Sequence, residues 1–157
     1  MNPQVTLWRE PPSMVTGAPE PCLFSNRKGD LYCAYYASRA VEDVALEEVA
    51  VLRFTGVLHF RFGYPNDEVL HAHPLYKSGL QHYGFHIVEQ SPLIAEFEDQ
   101  NRLHRQHKPG MYRERFKHFL IAFHDETLEV VAKEGAVAGR RALPPSQAVA
   151  EFAVGTR

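Results

Sequence analysis

The chain has 157 residues, a formal charge of −2 at pH 7 and 45% hydrophobic residues. This length suits one domain with a sizeable core, and the charge argues against a protein that binds nucleic acid through a cationic face. No segment approaches the ~20 apolar residues of a membrane-spanning helix, the first residues do not form a secretory signal, and two cysteines, Cys22 and Cys33, suit a reducing compartment. The composition therefore predicts a cytoplasmic protein with neither a membrane nor a nucleic-acid partner.

The chain begins with a proline-rich segment. Five of the first 21 residues are prolines. Because proline fixes φ and lacks a backbone donor, we expect residues 1–21 to form an extended arm without regular pairing.

Strand-like segments follow, bounded by turn signals. We predict strands over 31–37, 47–54, 57–63 and 83–89, with a break at Thr55-Gly56. The period-two pattern of segment 57–63 divides its side chains into two faces: Leu58, Phe60 and Phe62 against Val57, His59 and Arg61.

One helix is predicted over residues 91–106. Ser91 is a natural N-cap, and Pro92 is a natural first helical residue because its missing N–H would have no partner there. Pro109-Gly110 would end the helix.

A hairpin should close the body of the chain, with strands over 115–123 and 128–133. If Asp125-Glu126 is a two-residue turn, Ala122 faces Glu129, and one face carries His118, Leu120, Ala122 and His124 beside Glu129 and Val131. The remaining segment, 134–157, is a tail in which residues 146–154 could form a short helix.

Together these elements predict a single α+β domain. Six or seven strands joined by short connections favour a curved, mostly antiparallel sheet, resembling a half-barrel, with one main helix. The predicted organisation is an arm over 1–21, an α+β body over 22–133 and a tail over 134–157.

Several short motifs lie within the body: NDE, HPLY, Gly79-Leu80, Tyr83-Gly84 and HF…FHDETLE. Through them, over residues 22–133, the chain resembles a family of small bacterial single-domain proteins of unassigned function. The resemblance implies a compact domain and supplies no reaction.

The most informative compositional feature is the content of nine histidines. If residues 69–73 were extended, His71 and His73 would point to one side and, with Asp67, could bind a divalent metal such as zinc. If Asn66 or Asp67 instead caps a helical turn through Leu70, the two histidines diverge. Both interpretations remain open, and we otherwise expect no cofactor.

A second candidate site lies on the hairpin. A carboxylate diagonal to a histidine fixes the imidazole tautomer and raises its basicity, so His124 with Glu129 is a candidate acid–base pair. His71 or His73 would be the partner acid. The candidate substrate-binding residues are Arg61, as an anion anchor, Asn66, Tyr76 and His86, and Arg61 and His86 could line a cavity with His59.

The sequence thus favours a small enzyme that acts on a small polar or anionic substrate by acid–base chemistry without a redox cofactor. A binding or immunity-type module without catalysis and a histidine-ligated metal enzyme are the alternatives. A homodimer is the default expectation for a chain of this kind.

Overall fold

A computed structural model describes residues 2–38 and 48–155, so that Glu47, the first residue of one predicted strand, and the last two residues of the tail lie outside the described ranges. Seven antiparallel strands form one sheet, in the order β1-β5-β6-β7-β4-β3-β2. Their bounds are β1 Gln4–Leu7, β2 Cys22–Ser25, β3 Leu31–Ala37, β4 Glu48–Gly63, β5 Phe85–Glu89, β6 Lys117–Ala122 and β7 Thr127–Arg141. Within the described residues the edge strands β1 and β2 do not pair with each other, so the sheet is not closed into a barrel. The predicted α+β class with a curved antiparallel sheet is confirmed.

The helical elements are few and short. They are α1 (Pro92–Asn101), α2 (Met111–Arg115) and α3 (Pro145–Gly155), with two 3₁₀ segments at Asp67–Ala72 and Tyr76–Ser78. None of the helices in the described ranges is long and apolar enough to cross a membrane.

The long strands β4 and β7 pair with each other over most of their length. The predicted break at Thr55-Gly56 is wrong, because the strand continues through Gly56, which takes a positive φ of 61°. A bulge between Val57 and His59 then shifts the alternation. Val57 consequently packs on the face of Phe60, whereas His59 and Arg61 keep the opposite face as predicted.

One face of the sheet carries the main hydrophobic core, which is rich in aromatic side chains. Phe54 and Phe119 contact each other and the indole of Trp8, at ring-centroid distances of 4.8 to 6.0 Å. Trp8 and Met14 belong to the N-terminal segment and cover this core. The expectation of an arm without pairing is therefore wrong, since β1 lies between Pro3 and Pro11, where every residue retains its N–H, and pairs with β5.

Four helical elements cover the opposite face of the sheet. The 3₁₀ segments bring Leu70 and Leu75 against Leu120, α1 packs Leu93 and Ile94 around Val131, and α3 packs Ala148 and Val149 on β3 and β4. This second face, between the 3₁₀ segments and α1, contains the polar residues described below.

The observed end of α1 and the observed extent of β7 differ from the predicted ones. Ser91 caps α1 as predicted, its hydroxyl accepting from the Ile94 N–H at 3.1 Å, but the helix ends at Asn101 rather than at 106. The tail is more regular than expected, because β7 extends to Arg141 before α3 begins.

Candidate functional site

The strand register gathers polar side chains on the face opposite the aromatic core. Leu120 of β6 lies between His86 of β5 and Glu129 of β7, and Glu129 in turn pairs with Arg61 of β4. Paired residues in adjacent strands project to the same side. His59, Arg61 and His86 therefore share one face, which is the condition on which the predicted cavity between them depends.

Glu129 is the centre of a buried polar network. Its side chain is 4% exposed, one carboxylate oxygen accepts from Arg61 Nε, and the other lies 3.2 Å from His118 Nε2 and 3.7 Å from His73 Nε2. Burial alone would raise the pKa of Glu129, but the N–H groups of His118, His73 and Arg61 outweigh it and hold that pKa well below its usual range. Glu129 is therefore ionised and fully engaged.

The ionised carboxylate fixes the direction of a longer hydrogen-bond relay. Neutral His118 must carry its proton on Nε2 to donate to Glu129, which leaves Nδ1 as an acceptor. Ser91 Oγ lies 2.7 Å from that Nδ1 and, with His118 in this neutral tautomer, donates to it while accepting from the Ile94 N–H. The relay runs from the cap of α1 through β6 to β7.

The two histidines of the 3₁₀ region diverge. His73 is buried, with its Nδ1 accepting from the Leu75 N–H at 3.0 Å and its Nε2 directed at Glu129, whereas His71 is exposed. The extended geometry on which the predicted metal site depended is therefore wrong, because Asp67–Ala72 is helical. Among the described residues no group of three or more His, Cys, Asp or Glu side chains is arranged to hold a metal ion.

The hairpin turn differs from the prediction in a way that separates the expected catalytic pair. Ala122 pairs with Thr127, and Glu129 pairs with Leu120, so the loop has four residues, 123–126, and the two-residue turn is wrong. His124 lies in the loop beyond the paired strands. Glu129 instead has His118 as its diagonal histidine, on the predicted face of β6.

His124 has a different carboxylate partner, Asp67. The His124 carbonyl accepts from the Asp67 N–H at 2.9 Å, and His124 Nδ1 lies 2.9 Å from Asp67 Oδ2. The carboxylate oxygen lies off the direction of the ring N–H, so the contact is an electrostatic one rather than a directed hydrogen bond. The His124 side chain is 37% exposed, and that of Asp67 is 13% exposed.

Two further rings complete this second group, which we call the rim cluster: Asp67, His82, Tyr83 and His124. The Tyr83 hydroxyl donates to Asp67 Oδ2, and the Tyr83 ring lies nearly parallel to that of His124, 12° from coplanar. The Tyr83 hydrogen bond lowers the pKa of Asp67, and the same bond raises the pKa of Tyr83. His82 Nε2 lies 3.0 Å from the Asp67 carbonyl.

The backbone at the rim cluster is unusual. Tyr83 has a φ of 55°, in the left-handed region that non-glycine residues rarely adopt. Nearby, Asn66 Oδ1 and Glu126 Oε2 are buried without a hydrogen-bond partner in the described residues. Strained backbone and unsatisfied polar atoms concentrate at functional sites.

Two predicted substrate-binding residues, His86 and Tyr76, are held by contacts with other residues of the chain. His86 is enclosed, with Nδ1 donating to the Leu120 carbonyl and Nε2 accepting from the Gln81 N–H, and burial lowers its pKa. Tyr76 is half-buried and packs edge-on against His82 at 6.0 Å.

The sequence interpretation missed three polar contributors, namely Ser91, His118 and Tyr83. Ser91 was interpreted only as a helix cap, and His118 was placed on the correct face without a role. The register error at the turn concealed the His118–Glu129 diagonal, whereas no local signal pairs Tyr83 with Asp67 across 16 residues.

No family model matches the chain, and neither a curated protein nor a solved structure shows significant similarity to it. The resemblance to small bacterial proteins of unassigned function stays a prediction.

Proposed function

We propose that the chain is a small enzyme that acts on a small polar substrate by acid–base catalysis at the rim cluster. The observation that carries the proposal is the His124 imidazole, which is partly open to solvent and held beside the Asp67 carboxylate. A histidine held by a carboxylate is a common general base, because the carboxylate stabilises the imidazolium that forms when the ring accepts a proton.

Within this proposal each member of the rim cluster has a distinct task. The Asp67 carboxylate lies 2.9 Å from His124 Nδ1, where its charge stabilises the imidazolium, and Nε2 exchanges the proton with the substrate. Tyr83 keeps Asp67 ionised by donating to it and supports the His124 ring by stacking. His82 is exposed beside Tyr83 at a ring-centroid distance of 6.0 Å, and it is the imidazole of the rim cluster that serves as partner acid.

The roles first assigned to Glu129 and His73 change accordingly. Glu129 is occupied by Arg61, His118 and His73, and both nitrogens of His73 face protein atoms. We propose that neither takes part in catalysis at the rim cluster. His71 is not included in the site, because it is exposed and its predicted alignment with His73 is absent.

The test is a substrate screen followed by matched variants. The chain is incubated with a mixed panel of polar metabolites, and turnover is followed by NMR. His124→Ala should lower any turnover by about 10²- to 10⁴-fold, the usual contribution of a positioned base, while the melting temperature stays within a few degrees. His71→Ala, which removes an exposed imidazole on the adjoining segment, should leave turnover unchanged.

Two results would contradict the proposal. One is turnover that survives His124→Ala, and the other is the absence of turnover of every compound by the wild-type chain. The second result would favour the alternative of a binding module.

A further inference from the structure

A groove of about 950 Å³ lies beside the N-terminus of α1 and the start of β6, away from the rim cluster residues. Ser91 lines the groove, as do side chains of both charges, including Glu89, Arg113 and Lys117. Within the described ranges Arg113 has no acid at ion-pair distance, so the groove offers a cation to a ligand.

The hydroxyl of Ser91 belongs to an ordered array. It lies 2.7 Å from His118 Nδ1, and His118 Nε2 lies 3.2 Å from Glu129; with His118 neutral and its proton on Nε2, Ser91 donates to the imidazole and the imidazole donates to Glu129. The hydroxyl, the imidazole and the carboxylate thus follow one another in the order found in serine hydrolases. In this order the imidazole can accept the hydroxyl proton and so activate the serine as a nucleophile. The roles of the two ring nitrogens are exchanged relative to the usual serine hydrolase, which leaves the direction of proton transfer unchanged.

We propose that Ser91, His118 and Glu129 form a hydrolytic site that opens into this groove and accepts small esters. Arg113 offers a cation to a polar group of the ester. The proposal shares no residue with the rim cluster and stands independently of it.

The reaction balances with water as the second substrate. Ser91 Oγ forms a bond to the carbonyl carbon of the ester, and its proton passes to His118 Nδ1. The carbon–oxygen bond to the alcohol then breaks, and the alcohol leaves with that proton. Water next attacks the acyl-serine, gives one proton to His118, and releases the carboxylic acid as the proton returns to Ser91.

A capping role alone explains only part of this arrangement. The cap accounts for the Ile94 N–H bond to Ser91 Oγ, but not for the second bond to a buried imidazole that is itself held by a carboxylate. The position is also favourable for a nucleophile, because the positive end of the helix dipole stabilises developing negative charge on the serine oxygen.

The experiment is covalent labelling of the full chain with a fluorophosphonate probe, mapped by peptide mass spectrometry. We expect one phosphonyl adduct on Ser91. Ser146, an exposed serine at the start of α3, is an internal control that should stay unmodified. Ser91→Asn should remove the adduct while keeping the cap of α1, because asparagine caps a helix as well as serine does.

A second variant tests activation by the imidazole. His118→Gln should slow labelling of Ser91 by at least ~10²-fold. If that variant fails to fold, the pH dependence of labelling of the native chain replaces it, because a rate that needs an unprotonated general base falls on acidification.

Three outcomes would overturn the proposal: no adduct on Ser91 of the folded chain, equal labelling of Ser146, or a labelling rate that depends neither on His118 nor on pH. None of them bears on His124, whose turnover is measured separately.

Discussion

Replacement of Glu129 by glutamine tests whether the buried network stabilises the fold. The substitution keeps the shape of the side chain but removes its charge. It also places an amide NH₂ group against side chains that are themselves hydrogen-bond donors. His118 loses a charge-assisted hydrogen bond, worth about 1.5–3 kcal/mol. The Arg61 pair adds at most about 1 kcal/mol, because the Arg61 side chain is 56% exposed and largely solvated.

We therefore expect Glu129→Gln to lower the free energy of unfolding by about 3 kcal/mol at pH 7. For a chain of this size that corresponds to a fall in melting temperature of about 6–12 °C. Circular dichroism with thermal and urea unfolding measures both quantities. Glu134→Gln is the matched control on the same strand, since Glu134 forms an exposed pair with Lys117 at 3.2 Å, and it should change stability by less than about 0.5 kcal/mol.

The same variant has a predicted pH dependence. The pKa of Glu129 is lower in the folded chain than in the unfolded chain, so its contribution is present above the unfolded pKa of about 4.3 and is lost as the pH falls below it. The difference in the free energy of unfolding between the wild type and Glu129→Gln should become smaller in acid. Equal stabilities of Glu129→Gln and Glu134→Gln at pH 7 would refute the reasoning.

Two further predictions concern the segment before β5. An alanine Cβ at Gly84 would lie 2.7 Å from His86 Cε1 and 2.9 Å from Nε2, so Gly84→Ala should lower the free energy of unfolding in urea by about 1–3 kcal/mol. The control is Gly17→Ala, whose Cβ would have no heavy atom within 4 Å. Equal effects of the two substitutions would argue against the close contact at Gly84. Tyr83→Phe should raise the pKa of Asp67 in an NMR titration, because the Tyr83 hydroxyl is the main cause of its depression, and an unchanged pKa would show that this bond does not form in solution.

The architecture could be predicted from local patterns because these agree with the tertiary packing. Alternation in segment 57–63 placed His59 and Arg61 correctly, and Ser91-Pro92 marked the start of α1. The misplaced features depend on single residues of register. A bulge at Val57 and a four-residue turn each arise from backbone geometry that Gly56 and the HDET segment allow but do not specify.

The candidate site was only partly accessible to sequence analysis for the same reason. A change of two residues in turn length moves the partner of Glu129 from His124 to His118, although both lie on alternate positions of one segment. The contact between Asp67 and His124 joins elements 57 residues apart and depends on how the 3₁₀ segment packs on the turn. Such contacts follow from tertiary packing, for which the local pattern contains no signal.

Glu126, in the same turn, provides a last prediction with the opposite sign to that for Glu129. Burial raises its pKa, the like charge of Asp125 adds to the effect, and its Oε2 has no hydrogen-bond partner in the described residues. The folded chain therefore binds this proton more tightly than the unfolded chain, and stability is lost as the pH rises from the unfolded pKa of about 4.3 towards the folded one.

Glu126→Gln should raise stability at pH 7 by about 1 kcal/mol and lose this advantage near pH 4. Asp125→Asn, at a side chain that is 77% exposed, should change stability by less than about 0.5 kcal/mol. If Glu126→Gln is no more stable than the wild type at neutral pH, the carboxylate is solvated, and the turn does not bury a charge.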